Sequence, residues 1–132
     1  MYLLGLDIGT SSIKASIVDA NSKKVVASAQ YPDKEVAIDS PKAGWAEQSP
    51  EMWWENSKKA IARVIASGKF KAAEIASIGI SYQMHGLVII DKDRKVLRPS
   101  IIWCDSRAVE IGEKAFQGIG KEKALSRLLN SP

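Results

Sequence analysis

Leu4-Gly5-Leu6-Asp7-Ile8-Gly9-Thr10-Ser11-Ser12-Ile13-Lys14-Ala15-Ser16-Ile17-Val18 is the stretch on which the fold turns. Leu4, Leu6 and Ile8 alternate with Leu3, Gly5 and Asp7, a period of two that places one set on each face of a strand. Gly9-Thr10-Ser11-Ser12 interrupts the run, and Ile13 to Val18 resumes it with the same alternation. Asp19-Ala20-Asn21-Ser22 has the composition of a turn, and Val25 to Ala29 reads as a third strand. Connections this short permit an antiparallel meander and exclude parallel crossovers, which need a dozen or more residues.

Working outward, Tyr31 to Gln48 reads as an extended excursion punctuated by Pro32, Pro41 and Gly44, with Trp45 anchoring it to the body. Ser49, Pro50 and Glu51 form a helix start: a capping hydroxyl, a proline at the first helical position and an acid at the positive end of the dipole. Trp54, Ile61 and Ile65, with Val64 beside them, predict the buried stripe of that helix, and Gly68 its stop. Ile75 to Ser81 is a strand, broken by Gln83-Met84-His85-Gly86. Leu87 to Ile90 is a further strand, and Asp91 to Arg94 is a hairpin turn from which Val96 and Leu97 pair back. Ile101-Ile102-Trp103 is a short apolar run. Ser106 is expected to cap a helix carrying Ala108, Ile111 and Ala115 and ended by Gly118 and Gly120. Ala124, Leu125, Leu128 and Leu129 mark a last helix, and Asn130 to Pro132 reads as loop. The order β-β-β-α-β, with a small β addition and two helices, is that of an α/β protein opening as a ribonuclease H-like fold, the opening shared by actin-like ATPases. That is an analogy of fold and not of function.

Composition narrows the function classes. The 132 residues suit one domain, and 45% apolar content with four tryptophans predicts a packed globule. The net charge of +4 is scattered among acids, whereas a nucleic-acid binder concentrates its cations on one face or arm. No apolar run approaches the roughly 20 residues of a membrane span. Met1 to Ile8 is too short for a signal segment and lacks a basic flank. A single cysteine, Cys104, excludes an internal disulfide framework. The expectation is a cytoplasmic protein that binds neither nucleic acid nor membrane, with Cys104 a small buried hydrophobe.

Three segments carry chemistry. At Asp7 to Lys14, Gly9 allows close backbone approach and positive φ, and successive amides beside the Thr10, Ser11 and Ser12 hydroxyls make an anion nest. Asp7 beside an anion would repel it unless a cation lies between, which points to Mg²⁺. The spacing is neither a P-loop nor a dinucleotide fingerprint, because a strand follows the turn. The plainer alternative is a hairpin with Asp7 bonded to the backbone. In the second segment, Gln83-Met84-His85-Gly86, the only histidine stands at the carboxyl end of a predicted parallel strand, where open α/β sheets bind ligands. Its imidazole can bond a hydroxyl while Met84 lines the apolar side, and a core histidine with a backbone partner is the alternative. In the third, Trp103-Cys104-Asp105-Ser106-Arg107, an indole face can stack on the C–H face of a sugar, with Asp105 as acceptor and Arg107 as planar donor. The alternative there is a buried Trp, a helix-start Asp and a surface Arg.

Asp7-Ile8-Gly9-Thr10-Ser11, Gly44-Trp45-Ala46-Glu47-Gln48 leading into Pro50-Glu51-Met52-Trp53-Trp54, Gln83-Met84-His85-Gly86 and Trp103-Cys104-Asp105-Ser106-Arg107 together resemble, in the same order, the opening of sugar kinases of the FGGY carbohydrate-kinase family. The Gln-Met-His-Gly segment is most like the xylulokinases of that family. The resemblance implies ATP and Mg²⁺ as cofactors and D-xylulose or a similar ketose as partner. Asp7, Gly9, Thr10, Ser11 and Lys14 would lie at the ATP phosphates, with Asp7 holding Mg²⁺. Gln83, Met84, His85, Gly86, Trp103 and Asp105 would lie at the sugar. Two alternatives stay open: a kinase for another sugar or polyol, or a non-catalytic module that binds sugar or phosphate.

The resemblance also implies that residues 1–132 are the N-terminal part of the first kinase domain, with the catalytic carboxylate, the adenosine site and the second domain beyond Pro132. The chain alone is therefore expected to be inactive and to expose apolar surface where further elements would pack, giving self-association. Light scattering at high concentration is expected to show species larger than a monomer; a clean monomer would count against this.

Overall fold

The computed structural model describes residues 1–128. Leu129 and the expected loop at Asn130–Pro132 lie outside the described residues. Strands β1 (Tyr2–Ile8), β2 (Ile13–Asp19) and β3 (Lys24–Tyr31) form the antiparallel meander, and β5 (Ile75–Tyr82) joins it. The sheet order is β3-β2-β1-β5, with β5 parallel to β1 and on the sheet edge. A second ladder pairs β4 (Glu47–Gln48) with β6 (Ser100–Ile101). It extends through single bridges from Glu47 to Asp39 and from Ile101 to Leu87. The expected strand at Leu87–Ile90 is reduced to such bridges, including Ile90 with Val96, and the expected hairpin turn between them is held by Asp91, whose Oδ1 accepts from the amides of Asp93 and Lys95 at 2.8 and 2.9 Å.

Helix α1 (Pro50–Ile65) crosses from β4 toward β5 and packs on β2 and β3. Ser49 caps it, its Oγ accepting from the Met52 amide at 3.2 Å and donating to Glu51. The buried face keeps Val64 of the expected stripe, with Ile61 partly buried against the core, and departs from it elsewhere. Asn56, Ser57, Ala60 and Val64 point inward, whereas Trp54 is 63% exposed and Ile65 is exposed. The inner residues are small because the helix lies close on the sheet, where a tryptophan would hold it away. The buried polar groups are satisfied: Ser57 Oγ donates to the Trp53 carbonyl at 2.7 Å. Ile13, Ile17 and Val64 are fully buried in the core with Leu4, Ala15 and Ala60, each large side chain contributing roughly 1.5–3 kcal/mol.

Helix α2 (Val109–Ile119) begins three residues after Ser106, which is not its cap. The Ser106 hydroxyl instead donates to the Gly44 carbonyl at 2.9 Å. Gly44 has φ +79°, and any Cβ there would strike Ser106 Oγ. A short helix, α3 (Lys121–Lys123), follows Gly120 and runs into a π turn at Ala124–Leu128. Among the described residues no helix is long and apolar enough to cross a membrane. The edge of β5 carries no charged residue, and Ile78, Ile80 and Tyr82 on its α1-side face are 58–66% exposed. Ser49→Ala is expected to destabilise the chain by about 1 kcal/mol through loss of the helix cap, read as a lower denaturation midpoint with an unchanged slope.

Candidate substrate-binding site

Parallel pairing of β1 with β5 sets Ile8 beside Tyr82, so the turn after one strand adjoins the loop after the other. The Gln83 amide donates to the Ile8 carbonyl at 3.0 Å and continues the pairing one residue past the strand. The turn itself is tight: the Gly9 amide donates to the Ser12 carbonyl at 3.2 Å. Gly9 is not at positive φ, contrary to expectation. A Cβ there would lie 3.0 Å from the Ser12 oxygen, so glycine serves close approach. Among the described residues the amides of Thr10, Ser11 and Ser12 have no protein acceptor, which leaves a small array of donors at the mouth of the turn.

Asp7 and Lys14 face one another across β1 and β2, and Lys14 Nζ lies 3.3 Å from Asp7 Oδ2. Both are half-exposed, so solvent screens the pair and it adds little stability. The expected alternative for Asp7, a backbone partner, is not what the structure shows. Among the described residues no group of three or more His, Cys, Asp or Glu could hold a metal ion by itself. A cation at Asp7 would therefore complete its shell with ligand oxygens and water.

Met84, His85 and Trp103 line one open groove of about 310 Å³ with Tyr82 and Gln83. His85 adopts φ +62° and is exposed, and among the described residues its ring has no hydrogen-bond partner. It is not a core histidine. The left-handed backbone turns the loop so that successive side chains splay around the groove. Trp103 is 58% exposed and donates its indole N–H to Thr10 Oγ1 at 3.0 Å, which fixes the ring by its edge and leaves its faces open. Gly86 is not in that lining; it borders an adjoining cavity of about 410 Å³ shared with Tyr82, Gln83, His85 and Trp53, and lies near Ser100.

Asp105 is placed differently from its expected position at the sugar. Its carboxylate accepts from the Ala46 amide at 2.7 Å and from the Arg107 amide and guanidinium at 2.8–3.0 Å, and its side chain is 3% exposed. These hydrogen bonds, those from Arg107 foremost, hold its carboxyl well below the usual carboxylate range against the opposing effect of burial. Arg107 also lies 2.8 Å from the buried Glu47, which pairs with Arg98 as well. Its guanidinium stacks 3.9 Å from the Trp45 ring centroid, so Trp45 does anchor the excursion, through Arg107. Cys104 is exposed rather than buried, since the chain leaves the small ladder before reaching it.

Gln48, quoted only as the end of the second motif, was not among the expected site residues, because two of its three partners, Gln83 and Thr10, lie 35 and 38 residues away. It is 3% exposed. Its Nε2 donates to the Thr10 carbonyl at 2.9 Å, and its Oε1 accepts from Trp53 Nε1 at 3.0 Å and from Gln83 Nε2 at 3.4 Å. Tyr82 and Trp53 likewise join the site only through the fold.

Residues 2–130 match the FGGY family of carbohydrate kinases, N-terminal domain. The chain belongs to that family. It is 40% identical over 107 residues to the xylulose kinase of Bacillus subtilis, covering 80% of this chain and 20% of that protein. A glycerol kinase of Thermococcus gammatolerans is 34% identical over 119 residues, covering 90% of this chain and 23% of that protein. The crystal structure of xylulose kinase from Rhodospirillum rubrum superposes with a TM-score of 0.83 at 29% identity, over 96% of this chain and 25% of that one. The chain thus spans a fifth to a quarter of the length of these FGGY relatives.

Because the Asp105 carboxyl is depressed in the folded state, its stabilising contribution is present above the ordinary aspartate value near 3.9 and is lost as pH falls toward the folded value. Asp105→Asn is expected to lower stability at pH 7 and to flatten the loss of stability below about pH 4, measured by denaturation across pH. An unchanged acid slope would refute the assignment.

Proposed function

We propose that this chain is the N-terminal part of an ATP-dependent sugar kinase of the xylulokinase type, which transfers the γ-phosphate of MgATP to a hydroxyl of D-xylulose. The observation that carries the reading is the adjoining of a turn with free amides at Thr10–Ser12 and an open groove lined by Met84, His85 and Trp103. An anion site and a polyol-sized groove with a stacking indole suit a phosphoryl donor and a sugar acceptor. Family membership supports ATP as donor, and the first curated relatives support xylulose over glycerol as acceptor.

In this reading the amides of Thr10 and Ser11 and the Lys14 ammonium hold phosphate oxygens. Asp7 holds Mg²⁺, which supplies charge neutralisation when bound. His85 and Gln83 bond sugar hydroxyls, and Met84 and the Trp103 face cover its C–H side. The hydroxyl oxygen attacks the γ-phosphorus, the bond to the bridging oxygen breaks and ADP leaves, while a carboxylate supplied from outside residues 1–132 takes the hydroxyl proton. The architecture is inferred to be the first part of a ribonuclease H-like, actin-like domain, and the setting cytoplasmic. Asp105 supports the site from behind rather than touching sugar. The bare face of β5 is where the chain alone self-associates.

In a coupled assay with ATP, Mg²⁺ and D-xylulose, residues 1–132 alone are expected to give no turnover above blank. A polypeptide of the relatives' length that carries this segment is expected to prefer D-xylulose to glycerol and gluconate. In it, His85→Ala is expected to lower kcat/KM for the sugar by about tenfold or more. Preference for glycerol or gluconate would replace the xylulokinase assignment.

A further inference from the structure

The phosphate turn and the sugar loop are joined by more than their strands. Trp103 Nε1–H donates to Thr10 Oγ1 at 3.0 Å, and the Thr10 hydroxyl donates onward to Gln83 Oε1 at 2.9 Å. The Thr10 hydroxyl is thus already committed, as donor to one loop and acceptor from another, so the turn offers a ligand the Thr10 amide rather than its side chain. Gln48 closes the circuit: it takes the Thr10 carbonyl with its amide nitrogen and receives both Gln83 Nε2 and Trp53 Nε1 on its oxygen. One buried side chain on a two-residue strand thereby meets three segments, the turn after β1, the loop after β5 and the first turn of α1. Cutting a buried, fully used amide leaves several partners unpaired at once, so its effects spread beyond the atoms it touches.

We propose that Gln48 is a positioning residue that makes the phosphate turn and the sugar groove one unit, setting Thr10 and, through it, the Trp103 indole and the Gln83 amide. The proposal deepens the sugar-kinase reading and rests on it for the identity of the two ligands. Its geometric content is independent of that reading. A shift at the turn on binding an anion is passed through the Thr10 hydroxyl to the two side chains that flank the groove, and Gln48 prevents the turn from moving without them.

The chain has four tryptophans, so its indole N–H groups give four resolvable nitrogen-15 NMR signals. Trp53 bonds Gln48 directly, while Trp103 bonds only Thr10. In Gln48→Leu both signals are expected to move, and Trp103 exchange with solvent to quicken about tenfold as its anchor loosens. If only Trp53 moves, Gln48 is a local filler and the proposal is overturned. Thr10→Ser, which keeps the hydroxyl, is expected to retain the wild-type Trp103 signal, and Thr10→Val to reproduce the Gln48→Leu effect on it. Should Gln48→Leu fail to fold, Gln48→Met, nearer to glutamine in length and equally without the amide, is read the same way. Millimolar MgATP added to the wild-type chain is expected to shift the Trp103 indole and the Gln83 side-chain amide. In Gln48→Leu it is expected to shift the turn amides alone. No response to MgATP in a polypeptide of the relatives' length that carries this segment, with Trp103 still displaced by Gln48→Leu, would overturn the nucleotide reading and leave the positioning role supported. An equal response of Trp103 to MgATP in both proteins would overturn the coupling.

Discussion

The parallel register of β1 on β5 is the constraint on which the rest of this structure depends. It places Ile8 against Tyr82, and the bond from the Gln83 amide to the Ile8 carbonyl carries the pairing past the strand ends. Because both strands run the same way, both of their following turns emerge at the same edge. An antiparallel β5 would have sent the Gln83–Gly86 loop to the opposite end of the sheet. The register is secured by packing: Leu4, in the middle of β1, is buried against α1, and a slip of one residue would turn it out and bring Leu3 or Gly5 inward.

Behind that junction lies a charged scaffold that touches neither turn. Glu47, Arg98, Arg107 and Asp105 tie the excursion before α1 to the segments on either side of β6. Burying so many charges is costly, and the arrangement is tolerable because each carboxylate is met by guanidinium or amide donors. Its consequence is geometric. Ile102, also buried, donates its amide to the Ala46 carbonyl, so the chain enters Trp103 from a fixed point and the indole edge reaches Thr10.

Much of this was legible in the residues. The alternation in Leu4–Val18 located β1, the turn and β2 to within a residue, since period-two patterning reports directly on which face is buried. Ser49-Pro50 marked the start of α1 because capping is a local hydrogen bond. The four ordered motifs identified the family that residues 2–130 match. Reading failed where a nonlocal partner outbid a local preference. Ser106 was taken by the Gly44 carbonyl, and α1 turned Asn56, Ser57 and Ala60 inward in place of Trp54 because the sheet lies too near for an indole.

The sequence by itself determined the element order, the hairpin at Gly9–Ser12, the loop at Gln83–Gly86 and the family, all of which rest on patterns within a few residues of one another. Tertiary structure alone decided that Asp105 braces Ala46 and Arg107, that His85 stands free in solvent and that Gln48 binds Thr10 and Gln83. The reason is the same in each case. A side chain's hydrogen bonds go to whatever the folded chain brings within about 3 Å, and for Gln48 that was a turn and a loop lying 38 residues before it and 35 after it.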